Sequence, residues 1–359
     1  MPRPVDMGFD WATGCTTRSA TTGKHTTRYT EMNRTLIPSL LMLLVLVAWT
    51  SLSIGSVPVG VSTGLWDWLL NNNSHAALII GEIRLPRTLL SLCVGASLGL
   101  SGAALQGLLR NPLADPSLVG ASQGAALGAA TVFYFGLFAG LGTLATAVAG
   151  LIGAAVALLL MLGLAGAGRP SLVILAGLAI STLAGAALAV VLNFAPNPYA
   201  MQELVFWLLG SVSNRGMDSL VILLPALIIG SALIWQQRQL LAGLSLGDQV
   251  AESMGLSVTR GSRLVVLGAA FLVGSSVSVA GNIGFVGLMV PHIVRPWVGH
   301  RPDKLLLPSM LTGAILVCVA DMTVRLLPAG QELKLGVLTS LIGAPLFIWL
   351  VWKERKQWL

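Results

Sequence analysis

LLRNPLADPSLVGASQGAALG, residues 108–128, separates two long apolar runs with an arginine, an asparagine, an aspartate and two prolines, then turns small and glycine-rich. Proline supplies no backbone N–H and breaks a helix interior. The Asn-Pro and Asp-Pro pairs therefore mark a tight turn. The flanking runs are long and lack the alternation of a half-buried strand, so the turn joins two helices.

Composition says which medium those helices occupy. Of 359 residues, 55% are hydrophobic and 10% charged, and 41 are glycine. Soluble domains carry about a quarter charged residues. This chain has too little polar surface to coat a water-facing globule, which points to an integral membrane protein. In lipid every backbone polar group must be satisfied internally, so helices or closed barrels are the choices, and unalternating runs select helices. A span needs about 20 apolar residues. Ten segments are expected to cross: 36–55, 87–109, 117–139, 144–166, 171–194, 218–236, 263–281, 285–299, 305–326 and 335–352. The expected fold is all-α and polytopic, with ten transmembrane helices.

The net charge of +7 does not require nucleic acid. Lys and Arg gather in the loops on the cytoplasmic side of membrane proteins. With the N-terminus inside, 16 of the 21 fall on the inner side, leaving Arg84, Arg87, Arg215, Arg325 and Lys334 outside. Ten crossings then put both termini in the cytoplasm. Residues 1–34 are polar and lack the apolar core of a signal peptide; they read as a disordered arm. Met32 opens MNRTLIPSLLMLL, so an over-extended start is the alternative. Residues 35–359 form the membrane domain.

Two segments lie between spans. PNPYAMQELVFWLLGSVSNRG, 196–216, holds an apolar stretch too short to cross and is expected to form a short outer helix. LLAGLSLGDQVAESMGLSVTRGS, 240–262, spaces Leu246, Val250 and Met254 four apart, a helical period. A plain surface helix and a docking helix for a cytoplasmic partner both fit.

The chemistry is sparse. Gly23–Lys24–His25 comes nearest to a phosphate loop but lacks the earlier Gly and the following Ser or Thr. Ion-coupled carriers keep carboxylates in their spans; here the candidates are Glu82 and Asp321. Arg325 follows Asp321 by four residues, so a structural pair is favoured over a proton relay. His25, His75, His292 and His300 show no ligand spacing, and neither do Cys15, Cys93 and Cys318. No metal site and no catalytic constellation follows. Gly95, Gly99 and Gly102 lie along one helix among small residues, a pattern for close helix approach. Arg84 and Arg87, in RLPR, either snorkel to head groups or offer a basic landing site to an acidic partner.

Four motifs together resemble a known family: EIRLPRTLLSLCVGASLGLSGAALQGLLRNPLADPSLVGASQGAALGA, LGDQVAESMGL, GNIGFVGLMVPHIVR and ELKLGVLTSLIGAPLFIWL. They are similar to the FecCD-type, or type II, permease subunits of ABC importers for iron–siderophores, heme and cobalamin. The resemblance covers residues 35–355. It implies a permease of a bacterial inner membrane that works as a homo- or heterodimer. ATPase subunits lie below, a periplasmic or lipoprotein substrate-binding protein docks above, and ATP and Mg are bound by the ATPase. No cofactor is implied on this chain and no enzymatic activity of its own.

Residue by residue, the resemblance assigns Arg84, Arg87 and Arg325 to binding-protein docking. It assigns Leu246, Gly247, Asp248, Ala251, Met254, Gly255 and Leu256 to an ATPase-coupling helix around 245–257. Asn111 and Leu113 in the opening turn, with Ser171, match the family's cytoplasmic gate. An iron(III)–siderophore is the expected cargo because most members carry one; heme and cobalamin are the alternatives. Lys334 and Asn282 stand where relatives often have proline, both near the outer mouth. An ion-coupled secondary transporter is the more distant alternative; it would need a buried carboxylate network.

Overall fold

The computed structural model describes residues 19–358 except 56, 73, 117–119, 138–142, 167–169, 195–197 and 328–332, with the backbone alone at 19–34, 143, 170, 171, 174, 200, 203, 350, 351 and 353–358. The described residues form helices and no strand. In order these are α1 Ser19–Ser53, α2 Val61–Leu69, α3 His75–Leu78, α4 Leu85–Leu109, α5 Ala121–Phe135, α6 Thr143–Ala165, α7 Pro170–Asn193 and α8 Pro198–Leu208. They continue with α9 Asp218–Gln236, α10 Arg238–Leu244, α11 Asp248–Ser253, α12 Val258–Ala280, α13 Val286–Val294, α14 Pro302–Leu326 and α15 Leu335–Trp358.

Among the described residues seven helices are long and apolar enough to cross a membrane. They correspond to the expected spans 1, 2, 4, 5, 6, 7 and 9. Of the other three, α5 and α13 are shorter, each for a local reason. α5 stops at Gly136, in the left-handed region at φ 62°. α13 has nine residues, and Pro296 in the turn that follows it has no N–H to extend the helix. In α15 the fully described apolar part is Leu335–Trp349, and the charged tail begins at Lys353. The first helix is described from Ser19, within the arm expected to be disordered. Residues 1–18 lie outside the described residues. Between spans 1 and 2 the structure adds α2 and α3, and a π-helical turn, Ile79–Arg84, joins α3 to α4 in one run from His75 to Leu109.

α4 is the hub. Within its most apolar window 83% of residues are buried, against 22% in α1 and in α7, whose outward faces are left for lipid or another chain. It packs on α14, α12, α13 and α9. Its glycines make that possible. A Cβ on Gly95 would strike the Gly313 backbone of α14, one on Gly99 the Ser309 carbonyl, and one on Gly102 the Gly287 backbone of α13. α5 and α6 meet through Gly124 and Gly153 in the same way. With no hydrophobic drive between helices in lipid, such backbone-level packing supplies the attraction.

α13 shows how an irregular helix is tolerated. Phe285 enters it with φ 65° and Pro291 interrupts it. Pro291 has no N–H for the Gly287 carbonyl. Gln106 of α4, buried, supplies the missing donor: its Nε2 lies 3.4 Å from the Gly287 oxygen and 3.2 Å from that of Leu288. The Gln106 Oε1 accepts from Arg295 Nη2 at 2.6 Å. The polar cost of the break is thus met inside the bundle.

Candidate functional sites at the two ends of the bundle

One end gathers around Asp321, 1% exposed. Arg87 Nε donates to both carboxylate oxygens, at 2.9 and 3.1 Å, and its Nη2 lies 2.9 Å from Oδ1. From one turn along α14, Arg325 donates through Nε at 2.8 Å and through Nη2 to Oδ2. Arg325 Nη1 also donates to the Ser51 carbonyl at 2.9 Å, and Arg87 Nη1 reaches Ser213 Oγ at 3.2 Å. Arg84, only 4% exposed, donates through Nη1 to the carbonyls of Leu52, at 2.9 Å, and Ser53, at 3.1 Å, and through Nη2 to that of Val57. The last carbonyls of a helix lack intrahelical partners, and they carry the negative end of its dipole. Two of the three arginines therefore close the end of α1.

Sequence brought Asp321 and Arg325 together through their spacing. It did not reveal Arg87 as the third member, 234 residues away in the chain. The available signal was that five cations outside exceed what orientation favours, while a carboxylate in a span needs a partner. As placed, Arg84, Arg87 and Arg325 bind their own chain rather than form an open basic surface. Arg84→Ala is expected to free the end of α1. Amides of its last turn should exchange hydrogen about ten-fold faster, the loss of charge-assisted bonds, while those of α12 stay unchanged. Equal protection in both proteins would sink this assignment.

Near Asp321 the segment before α9 holds Arg215. Burial lowers its pKa from the ordinary value, and the Asp218 carboxylate works in the opposite direction.

The other end carries the turn quoted first and the α10–α11 segment. α4 ends with Arg110 in the left-handed region, φ 50°. Its N–H and that of Asn111 return to the Gly107 and Gln106 carbonyls, at 3.4 and 3.2 Å. Asn111 Oδ1 then accepts from the Leu113 N–H at 2.9 Å, which fixes the turn. Asn111 is exposed and Leu113 half-buried. Ser171 lies in the first turn of α7, and its side chain is outside the described residues.

The expected helix around 245–257 is divided. α11 spans only Asp248–Ser253, between Gly247 at φ 113° and Gly255 at φ 78°. Left-handed glycines end helices, so Leu246 sits in the turn before α11 and Leu256 after it. Leu246, Val250 and Met254 are all well exposed, while Ala251 is buried against Gly243. Asp248 points away from that apolar face, to Arg110, with Nη2 to Oδ1 at 2.9 Å. Periodicity revealed the exposed face; nothing in the spacing revealed the ion pair. Among the described residues no three His, Cys, Asp or Glu stand together to hold a metal ion.

The chain is similar to known proteins over most of its length. The FecCD transport family matches residues 42–353. The hemin transport system permease protein HmuU of Yersinia pestis is 37% identical over 336 residues, 91% of this chain and 99% of that protein. The vitamin B12 import system permease protein BtuC of Salmonella typhi is 38% identical over 324 residues, 88% of this chain and 94% of that protein. Among solved structures, an inward-facing metal-chelate type ABC transporter superposes with a TM-score of 0.78 at 30% identity, covering 89% of this chain and 99% of its own.

Proposed function

Because the chain belongs to the FecCD transport family, we propose that it is the ABC importer permease for a bulky metal chelate, taken from a substrate-binding protein and passed inward between two permeases. The class is that of a multi-pass inner-membrane permease component. The cargo class is our reading. Iron(III)–siderophores, heme and cobalamin are its candidate members. Near-full-length similarity to a hemin permease and a vitamin B12 permease is the observation that carries it.

In this reading the Asp248 end faces the cytoplasm, as do both termini. The exposed side chains of Leu246, Val250 and Met254 fit an apolar cleft on a separate ATPase that binds ATP and Mg, the helix-in-groove mode of recognition. Leu246→Ser with Met254→Ser is expected to weaken association of that ATPase about ten-fold or more, since each buried apolar side chain contributes about 1.5–3 kcal/mol. Pull-down of the ATPase by the purified permease measures this; undiminished capture would move the interface elsewhere. The Asp321 end faces outward and receives the binding protein. There the three arginines shape the landing surface by holding the end of α1 and the segment before α9. The turn at Asn111 and Leu113, with Ser171, closes the cytoplasmic side. The outward faces of α7 and α15 are the contacts offered to the second permease.

An ion-coupled carrier fits less well. Among the described residues Asp321 is the one buried carboxylate, and both its oxygens accept from arginine. The deciding experiment is uptake into liposomes holding the permease and its ATPase, with the binding protein loaded in turn with a ferric siderophore, heme or cobalamin. ATP-dependent uptake of one of them identifies the cargo. Uptake driven by an ion gradient with no ATPase present would overturn the reading.

A further inference from the structure

α4 ends in a motif whose left-handed position is usually glycine. Here it is Arg110, at φ 50°. An L side chain in that region costs about 1–2 kcal/mol, so glycine would suit the backbone better. The retained side chain has one described partner, Asp248 at the first position of α11. The pair therefore crosses from the segment that meets the ATPase to the residue immediately before the Asn111 turn. α11 is a short body set off by left-handed glycines on both sides, and it packs on α10 through Ala251 and Gly243. Beside the pair a cavity of about 150 Å³, lined by Leu108, Leu109, Asp248, Glu252 and Arg263, leaves room for it to shift. Behind Arg110, the Asn111 N–H is bonded to the Gln106 carbonyl, and the Gln106 side chain to α13 and Arg295.

We propose that the Arg110–Asp248 ion pair transmits movement of α11 to the closing turn at Asn111, with Arg110 as the positioning residue. This rests on the permease reading above. It also gives Asp248 a different partner from the ATPase, leaving the cleft to the apolar side chains. Both partners are part-exposed, Arg110 41% and Asp248 37%. Such a pair is a weak stabiliser, and it shifts a two-state equilibrium by up to about five-fold. That suffices to bias a gate without locking it.

The test is a double-mutant cycle in the reconstituted importer, reading ligand transported per ATP hydrolysed and the melting temperature of the permease. Arg110→Gly is expected to melt at or above the wild-type temperature, because glycine suits φ 50°, yet to transport up to about five-fold less per ATP. Asp248→Asn should lose the same amount, the double variant no more than either single one, and Arg110→Lys should keep most of the coupling. Wild-type transport per ATP in Arg110→Gly, or losses that add in the double variant, would overturn the link. Failure of the wild-type complex to transport with ATP would instead count against the permease reading, and that arm is read separately.

Discussion

Asp321→Ala is expected to lower stability by about 3–5 kcal/mol, the range for removing one partner of a buried ion pair. The carboxylate is held by Arg87 and Arg325 together, and both arginines also grip other elements. Without it two guanidinium groups are left close together with no countercharge between them. Arg84 lies near enough to Arg325 for their charges to interact, which adds repulsion. The loss should therefore spread through α1, α4, α14 and the segment before α9. Arg87→Met should cost less than Asp321→Ala, since Asp321 then keeps Arg325. Melting of the detergent-purified permease, followed by size-exclusion chromatography after heating, measures both. A wild-type midpoint for Asp321→Ala would mean that the cluster is not structural, and would reopen a transport role for the carboxylate.

The second large effect lies at mid-bundle. Gly102→Leu should abolish recovery of monodisperse protein. Overpacking a core costs about 1–3 kcal/mol when side chains can move aside. At Gly102 the obstacle is the Gly287 backbone, in α13 beside its proline break. Nothing there can rotate away, so α4 and α13 must separate. Separation would also withdraw Gln106 from the Gly287 and Leu288 carbonyls, leaving polar groups unsatisfied inside the bundle. Gly102→Ala should show the same defect in smaller measure. Gly163→Leu is the control, because a side chain there enters open space. Equal yields of Gly102→Leu and Gly163→Leu would contradict the close approach of α4 and α13.

The same residues show what a sequence can and cannot reveal. Long apolar runs and proline-marked turns locate α4, α6, α9, α12 and α14 because a span leaves a continuous signal about 20 residues long. α5 and α13 are harder. A fifteen- or nine-residue helix inside a bundle is sheltered by its neighbours and does not need the full span length. α2 and α3 went unread because each is too short for a period to stand out. For the sites, local spacing exposed Asp321 with Arg325, and the apolar face of Leu246, Val250 and Met254. Arg87 with Asp321, Arg110 with Asp248 and Gln106 with α13 are contacts between distant parts of the chain. No periodicity encodes them, and only the fold brings the partners together.

The run through α4 has a mechanical consequence. Twenty-five residues of regular helix extend about 37 Å, with Arg87 in the first turn and Arg110 just past the last. Bound to Asp321 at one end and Asp248 at the other, and locked to α13 and α14 at its glycines, α4 can act as a lever that carries those helices with it. A tilt of about 5° about one end displaces the other by about 3 Å, roughly two residues of helical rise. In the proposed importer, docking above and ATP binding below would then pull on the same rigid body, and each would be felt at the far side without any signal passing through the ligand path.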